Sequence, residues 1–551
     1  MLSHGSFRVT TPRFQIPPPP RGSFALIALA AFGFLLSVYV GVWSPQFGLT
    51  KFLRVGQEFD RRGTAVFRAT PKFIDPYPAH RWGFDGQLYA EMALDPLLRN
   101  PQLHVGLDDP PYRGRRILLP WLAWVGGLGR PFWVLNAYAA MNLLFWVGFA
   151  WLGARLFRPH GWAGLAGYAA MLLTCGIIEC MQASLTDFPS FVLNIAAIVV
   201  GGAAGSGLLA LAALARDTSL IGFVGLAEFG PPWRDALKKN VVRGLIAAVP
   251  LALWIAYVLW RFRGREISFA GGNLDWPFRA MVQKLGEFSV TAVHGPIRWH
   301  RWFFELYKSY DLHAALTVIA LLTQSIYVLW HREWENRIWR WAAVVVVYFS
   351  CISFLSWESH FTVTRHALPI TLGFNLLLAA RPRRSWLAWF ILGNCFVPFG
   401  IYYFSRTPEY RAPPRPAEYT VAAPAGVAAP VRLAYGEGWS PQQWDPEGTW
   451  RWASGPAANV TLRNDSPRPL RVRLDFLART LKPRTVEIRA GEARQTFQLA
   501  AGRQVVAIPA IVLPPGETTL AFRTAEPPAE VDDHALGPVT FMIGNPIIRL
   551  E

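Results

Sequence analysis

The stretch SFALIALAAFGFLLSVYVGVW, residues 23–43, decides the fold class, because an uncharged run of this length can cross a bilayer as a helix. Further apolar segments follow at residues 116–130, 133–155, 162–181, 187–203, 206–229, 242–260, 311–331, 338–356, 366–380 and 385–404. The segment 116–130 is short enough to be re-entrant. The sequence therefore predicts an α-helical polytopic membrane protein with about eleven transmembrane helices.

The composition agrees with a lipid environment and indicates which partners to expect. The 551 residues are 52% hydrophobic and 16% charged, with a formal net charge of +18. Residues 405–551 hold 17 Lys and Arg against 15 Asp and Glu, so nearly all the positive charge lies in residues 1–404. This favours positive-inside topology and anionic membrane lipids over nucleic acid. The four cysteines all lie in apolar runs without metal-ligand spacing, which predicts neither disulfides nor zinc: Cys175, Cys180, Cys351 and Cys395.

The basic loops predict the topology. Residues 1–22 form a basic, Pro-rich tail, and the run after it is too long for a signal-peptide core, so we expect an uncleaved first span with a cytoplasmic tail. Three basic loops then fall on the cytoplasmic side: 234–243, 331–337 and 381–384. Arg155 and Arg158 are the exception, since they would face outward. We predict a bacterial-type inner membrane and an extracytoplasmic (periplasmic) C-terminus.

Two long connections, residues 45–115 and 262–310, face outward under this topology. Loops of this length in a packed domain are usually functional. The second contains MVQKLGEFSVTAVHG, residues 281–295, near Trp276, Trp299 and Trp302. Such amphipathic stretches suit helices that lie in the membrane interface.

The composition changes after Tyr402. A Pro/Ala-rich linker, residues 405–430, leads to residues 431–551, where period-two alternation broken by NDSP and PPGE predicts an antiparallel β-sandwich. This region begins with four tryptophans: Trp439, Trp444, Trp450 and Trp452. Packing in the sandwich core is the favoured interpretation, and carbohydrate binding by the exposed faces of these rings stays open.

The stretch FDGQLYAEMALDP, residues 84–96, predicts a short helix that begins near Asp85 and ends before Pro96. Asp85 stands where an N-cap is expected, and capping is the ordinary interpretation. The alternative is that Asp85 is a catalytic base.

Charged residues then recur at the ends and in the middle of apolar runs. LDDPPYRGRRILLPWLAWV, residues 107–125, places Arg113, Arg115 and Arg116 before a span that starts outside, against the usual charge bias. Their guanidinium groups either snorkel to lipid phosphates or hold an anionic headgroup. Arg216 and Asp217 fall near the middle of a run, where a charge is expensive. Further candidates at span ends are Asp187, Glu179, Arg365 and His366.

In this order the motifs FDGQLYAEMALDP, DPPYRGRRILLPWLAWV, SLTDFPSF, ARDTSL and TRHALPI resemble the GT-C superfamily of membrane glycosyltransferases. Within it they are similar to bacterial PIG-V-type mannosyltransferases, which carry a (W/Y)DGxxY motif in the first outer loop. The resemblance covers about residues 20–385. Phe84 replaces the usual Trp or Tyr, and Asp187 stands where Glu is commoner.

The resemblance implies transfer of a sugar from a polyprenyl phosphate to a glycan, lipid or protein acceptor at the outer membrane face. Asp85 would then be the base or help to hold a divalent cation such as Mg²⁺ or Mn²⁺. Arg113, Arg115, Arg116 and Arg365 would bind the donor phosphate. Supporting positions would be Gln87, Tyr89, Asp95, Asp108, Asp109, Tyr112, Asp187, Arg216, Asp217 and His366.

Two other function classes stay open. The same arginines could pass a lipid-linked headgroup in a transporter or flippase, although such proteins often show inverted repeats, and none is visible here. The chain could also be a noncatalytic anchor for the β-sandwich, which would not need charges inside apolar runs.

Overall fold

The computed structural model describes residues 19–20, 22–75, 80, 82–264, 274–287, 310–357, 360–407, 420–422, 430–440, 442–445, 448–491, 493–529 and 538–551. The chain divides into two compact units. The first comprises Met1–Asp75 and His80–Tyr410, and the second comprises Pro76–Ala79 and Arg411–Glu551.

The first unit is mainly helical. In chain order its helices are α1 (Ser23–Val42), α2 (Gln57–Arg62), α3 (Ala65–Ala69), α4 (Asp85–Leu94), α5 (Leu103–Gly106), α6 (Pro110–Arg113), α7 (Leu118–Gly126), α8 (Pro131–Phe157), α9 (Gly161–Leu172), α10 (Cys175–Gln182), α11 (Asp187–Val200), α12 (Gly202–Ala215), α13 (Phe223–Leu226), α14 (Trp233–Arg261), α15 (Arg279–Glu287), α16 (Tyr310–Trp330), α17 (Arg337–Ser350), α18 (Phe354–Trp357), α19 (His360–His366), α20 (Leu368–Ala380), α21 (Trp386–Asn394) and α22 (Val397–Ser405). Short 3₁₀ helices span Thr50–Leu53, Arg158–His160 and Asp217–Gly222, and a two-stranded parallel pair joins β1 (Val55–Gly56) to β2 (Ile74–Asp75).

Five helical segments among the described residues are long and apolar enough to cross a membrane: Ser23–Val42, Pro131–Gln182, Trp233–Arg261, His313–Trp330 and Trp386–Ser405. The apolar helices α11, α12 and α20 are shorter than 18 residues. The first unit is therefore that of a multi-pass membrane protein, but the predicted count of eleven spans is not confirmed.

The predicted segment 116–130 does not form a span. Its helix α7 has nine residues, about 14 Å at 1.5 Å per residue, against a hydrocarbon core of about 30 Å. The chain then turns through Leu128 and Gly129, both with positive φ, directly into the 27-residue α8. Without a crossing at α7, the positive-inside rule would place Arg155 and Arg158, at the far end of α8, on the same side as the other basic loops.

The basic loops meet at one end of this unit. Arg381 pairs with Glu333 at 2.6 Å, and the charge of Glu333 also acts on His160. The 158–160 turn therefore lies near the 331–337 loop, which agrees with a topology that needs no exception at Arg155 and Arg158. The side of the membrane on which these loops lie stays a prediction. The same end holds Arg340, which donates to the Ala227 carbonyl at 3.1 Å.

Two glycines shape the tight connection between α11 and α12. Gly201 and Gly202 both have positive φ and let α11 reverse into α12 without a side-chain clash. The outer connections are only partly helical: α15 confirms a helix over part of the predicted interfacial stretch, while Trp299 and Trp302 lie outside the described residues.

The second unit contains two sheets that share one apolar core, which confirms the predicted sandwich within this unit. Its strands are β3 (Thr420–Ala422), β4 (Val431–Tyr435), β5 (Gln443–Asp445), β6 (Gly448–Trp452), β7 (Ala457–Asn464), β8 (Leu470–Thr480), β9 (Arg484–Ala490), β10 (Ala493–Leu499), β11 (Gly502–Leu513), β12 (Gly516–Arg523) and β13 (Phe541–Leu550). One sheet has the order β10-β9-β12-β7-β4 and the other β11-β8-β13-β6-β5, both antiparallel, with β3 added in parallel to β13.

The tryptophans at the start of this unit mainly pack. Trp439 contacts Phe522 and Phe541 with ring centroids 5.9 and 5.7 Å away, and its indole N–H donates to the Asn459 carbonyl at 2.8 Å. Trp452 is buried against Val539 and Met542, beside the partly buried Trp450. Core packing is thus confirmed for these rings; the Trp444 side chain lies outside the described part, and carbohydrate binding stays a prediction.

Candidate functional site

The site begins at the first turn of α4. Phe84 is extended and Asp85 is the first helical residue, so the helix starts and ends as predicted. The N-cap position of this helix is therefore Phe84 and not Asp85. The capping interpretation is therefore wrong, because this side chain turns to cations from other segments instead of to its own backbone.

Gly86 explains why a glycine follows Asp85. A Cβ at this position would stand 2.0 Å from the Ala183 carbonyl oxygen, well inside van der Waals contact. The backbone of α4 therefore lies directly on the turn between α10 and α11. This approach brings Asp85 beside Asp187, which is the first residue of α11.

Two arginines hold Asp85. Its Oδ2 lies 3.2 Å from Nη1 of Arg113 and 3.7 Å from Nη2 of Arg365, while its side chain stays 31% exposed. Burial raises the pKa of Asp85, but the charges of Arg113, Arg365 and Arg116 outweigh it and hold the pKa below its ordinary value of 3.8. The carboxylate is consequently ionised at neutral pH.

The predicted acids at 108 and 109 have different roles. Asp108 accepts from Nε and Nη2 of Arg113 at 3.0 and 2.7 Å, a bidentate pair that fixes the guanidinium. Asp109 caps α6, because its side chain accepts from the Tyr112 N–H at 3.1 Å. Asp108 therefore belongs to the site and Asp109 builds the helix that carries Arg113.

Arg116 is buried between hydroxyl groups. Nη1 donates to the Tyr89 hydroxyl and Nη2 to the Tyr112 hydroxyl, both at 2.6 Å. Its nearest acid is Asp217, whose Oδ1 lies 3.9 Å from Nε. The Nε of Arg116 is buried without a hydrogen-bond partner in the described part of the chain. This cation is thus only weakly neutralised by the protein.

A second carboxylate of the site, Asp187, pairs with two arginines. It pairs with Arg216, and its Oδ1 lies 3.6 Å from Nε of Arg365. Arg216 Nη2 donates to Nδ1 of His366 at 3.0 Å, and since an arginine cannot accept, this imidazole nitrogen is the acceptor. Arg365 therefore links Asp85 to Asp187.

Four aspartates and four arginines thus alternate in one cluster, which we call the charge network: Asp85, Asp108, Asp187, Asp217, Arg113, Arg116, Arg216 and Arg365. They come from α4, α6 and its flanks, α11, the α12 end and α19. A cavity of about 60 Å³ reaches into the network and is lined by Asp187, Arg216, Arg365, His366 and Tyr348, among others.

The structure corrects the expected setting of Arg216 and Asp217. The apolar run 206–229 breaks after Ala215 into a 3₁₀ helix, Asp217–Gly222, and then α13. The two charges therefore stand at the end of a helix, beside Asp187 and Arg116, and not in the middle of a span.

Three predicted residues take other positions. Asp95 closes the turn after α4, where its Oδ2 accepts from the Asn100 N–H at 2.6 Å, and it does not contact the network. Arg115 has no ion pair or hydrogen bond in the described part of the chain, so it does not join the other arginines. Gln87 is a brace: its Oε1 accepts from the Gly56 N–H at 2.9 Å and its Nε2 donates to the Trp82 carbonyl at 2.5 Å.

The described residues do not form a divalent-cation site. No group of three or more His, Cys, Asp or Glu among them is arranged to hold a metal ion. Asp85 also stands against two guanidinium groups, which would repel a divalent cation. The donor set therefore does not fit the metal role suggested for Asp85.

A larger cavity, of about 510 Å³, opens on another side of Asp85. We call it the Trp82 cavity; its walls are Phe59, Arg62, Trp82, Gly83, Phe84, Asp85, Gln87, Leu88, His104, Val105, Gly106, Leu107 and Asp108. Sequence reasoning missed this cavity, although WGF, residues 82–84, offered a signal in its two aromatic residues.

The sequence matches no protein-family model and no curated protein. Among solved structures, arabinosyltransferase EmbB from Mycobacterium smegmatis aligns over 99% of this chain and 66% of its own, with 11% identity and a TM-score of 0.25. TmCBM61 in complex with β-1,4-galactotriose aligns over 22% of this chain and 90% of its own, with 12% identity and a TM-score of 0.15. An exo-β-1,3-galactanase from Phanerochaete chrysosporium aligns over 21% of this chain and 26% of its own, with 14% identity and a TM-score of 0.13. At such TM-scores none of these similarities establishes a shared fold, and the resemblance to PIG-V-type enzymes stays a prediction.

Proposed function

We propose that this chain is a membrane glycosyltransferase that moves a sugar from a polyprenyl-phosphate donor to an acceptor hydroxyl. The observation that supports this most is the setting of Asp85, an ionised and partly exposed carboxylate that two arginines hold at the border of an open cavity. A carboxylate and several guanidinium groups are the two kinds of side chain that this reaction needs.

The proposed reaction is a single displacement or an ion-pair-like equivalent. The acceptor oxygen forms a bond to the anomeric carbon, and its proton passes to the Asp85 carboxylate. The bond between the anomeric carbon and the phosphate oxygen breaks, and the electron pair stays on the phosphate. Because the arginines lower the pKa of Asp85, this carboxylate is a weak base, which suits late proton transfer from a hydroxyl already bonding to an oxocarbenium-like carbon.

Within this proposal Arg116 is the principal phosphate-binding cation. Arg113 is neutralised by a bidentate pair with Asp108, and Arg216 by Asp187. Arg116, by contrast, has two neutral tyrosine partners, and its Nε has no hydrogen-bond partner in the described part of the chain. A phosphate oxygen can therefore bind Arg116 without displacing a hydrogen-bonded carboxylate. Arg365, which bridges two carboxylates, completes the site.

The test is transfer by Asp85→Asn protein in proteoliposomes, with polyprenyl phosphates carrying mannose, arabinose or another single radiolabelled sugar as donors. We expect transfer to fall about 10²–10⁴-fold, because asparagine fills the same space but cannot take a proton at this step. Thermal stability should change far less.

The matched control is Asp95→Asn. This residue ends the same helix and has the same side chain, but its carboxylate only holds the turn to Asn100. Its activity should stay close to that of the wild type. Full transfer activity in Asp85→Asn would remove the assigned base, and absence of transfer from every donor by the wild type would remove the proposed function.

A further inference from the structure

The Trp82 cavity has the size of a ligand site and shares one wall with the charge network. At about 510 Å³ it lies within the range of roughly 300–1,000 Å³ that small-molecule sites occupy. Asp85 lines the cavity. Arg113 and Arg365, two of the arginines that would hold the donor phosphate, contact the same carboxylate. A second substrate therefore has its own route to the same carboxylate.

The walls of the cavity combine an aromatic face with charged groups. Trp82 is 45% exposed, and the guanidinium of Arg62 lies 4.7 Å from its ring centroid. The exposed Asp108 and the half-buried His104, both on the 104–108 segment, also line the cavity. Such walls are not continuously apolar, which disfavours a lipid chain.

This combination matches the surface of a sugar ring. A pyranose or furanose presents C–H groups on a face, which pack on an indole, and hydroxyl groups around its edge. Carboxylates accept hydrogen bonds from those hydroxyls and guanidinium groups donate to them. Asp108 and Arg62 supply one of each in the wall of this cavity.

The aromatic wall is held firmly in place. Gln87 fixes the Trp82 carbonyl, and the Phe84 N–H donates to the Arg54 carbonyl at 3.1 Å. Gly83 has φ +66°, and a Cβ there would lie 2.2 Å from the Gln87 side-chain oxygen. The turn that carries Trp82 is thus built together with the helix that carries Asp85.

We propose that the Trp82 cavity is the acceptor site and that the acceptor is a carbohydrate, whose ring stacks on Trp82 while one of its hydroxyls reaches Asp85. This rests on the proposed glycosyl transfer and specifies its acceptor class. Protein and plain lipid acceptors, which the sequence left open, are the alternatives that an experiment must exclude.

The test uses binding, so that it does not depend on turnover. Asp85→Asn protein in nanodiscs is titrated with di- to tetrasaccharides of mannose, arabinose, galactose and glucose, and saturation-transfer difference NMR reports contact and affinity. We expect at least one series to bind. Adding Trp82→Ala should weaken its Kd about 10-fold or more, while Trp82→Phe should retain most of the affinity.

Trp334→Ala is the matched control, since Trp334 is an exposed tryptophan at the basic end of the same unit. It should leave the Kd unchanged. Absence of binding by every oligosaccharide, or equal binding after Trp82→Ala, would overturn the acceptor assignment. If transfer to a peptide or lipid is then still measured and still needs Asp85, only the acceptor class is wrong; if a glycan binds at Trp82 but Asp85→Asn transfers normally, only the proposed base is wrong.

Discussion

Aspartate–arginine pairs occur in both units, but their surroundings differ. In the helical unit the side chains of Asp187 and Arg216 are only 5% and 10% exposed. In the β-sandwich, Arg473 lies 2.7 Å from Asp475, but these side chains are 47% and 15% exposed, and Arg549 joins them at 3.0 Å. The same kind of ion pair thus occurs inside a packed site in the helical unit and on a solvent-exposed sheet in the β-sandwich.

The difference indicates what each group of charges is for. A surface pair contributes about 0–1 kcal/mol and is easily replaced. A buried pair costs desolvation energy that its mutual attraction barely offsets, so apolar residues would often serve stability as well or better. The charge network is therefore hard to explain by folding alone, and this favours a functional role for it.

We expect the largest effect from a substitution that removes one residue of a buried ion pair and leaves its partner without a counter-charge. Asp187→Ala leaves Arg216 without its carboxylate partner and Arg365 with Asp85 alone, and we expect a loss of about 3–5 kcal/mol, seen as a large drop in the unfolding temperature in detergent. Adding Arg216→Met should recover much of the stability without recovering transfer. A single variant as stable as the wild type would break the comparison between the two units.

Glu91 gives a further test of the comparison between the two units, because it is a buried carboxylate without an ion pair among the described residues. One oxygen accepts from the Thr64 N–H at 2.5 Å and the other has no partner in the described part of the chain. Burial raises the pKa of Glu91 from 4.5 to about 7, although Thr64 and Lys72 oppose the shift. By contrast, hydrogen bonds from Arg489 and Arg494 lower the pKa of Glu487, a partly exposed residue of the sandwich.

For Glu91 the folded state keeps a proton that the unfolded state has released between pH 4.5 and about 7. Stability should fall as the pH rises through this window, with the full loss, about 3 kcal/mol, above pH 7. Glu91→Gln should therefore have little effect at pH 4.5 and raise the unfolding temperature increasingly up to pH 8. A difference that is flat across this pH series would contradict the prediction.

Arg116→Lys tests a cation whose hydrogen-bond partners are neutral. Lysine keeps the charge but loses the fork that spans Tyr89 and Tyr112, so we expect the KM for the donor to rise about 10-fold while the acceptor KM changes little. Arg115→Lys is the control, because Arg115 has no partner in the described part. Equal effects of the two substitutions would show that Arg116 acts only as general positive charge.

The smallest effect should be that of Arg473→Ala in the sandwich. Asp475 retains Arg549, and both remain in contact with water, so a change of less than about 1 kcal/mol is expected. A loss as large as that of Asp187→Ala would show that exposure is not what separates the two groups of pairs.

Local features of the fold followed from the sequence, and the distant contacts did not. The bounds of α4 and the strands from β8 to β12 agree with periodicity and turn residues, which act within a few positions. The charge network joins segments that lie far apart between residues 85 and 365, so spacing could not show which arginine meets which acid. Arg115 and Arg116 are neighbours, and only packing separates their surroundings.

The predicted span at residues 116–130 did not form for a related reason. Apolar composition marks a segment as compatible with lipid, but the positive φ values at Leu128 and Gly129 end the helix after nine residues. Once α7 is excluded, the positions of Arg155 and Arg158 no longer need an exception.

The close approach at Gly86 also bears on attempts to alter this protein. A saturation library across residues 82–108 should tolerate many exchanges at wall positions without an assigned role, such as the exposed Val105. Position 86 should yield glycine alone among functional clones, since even one methyl group would push α4 off the Ala183 carbonyl. Designers seeking new selectivity can therefore vary such wall positions but must inherit this backbone junction unchanged.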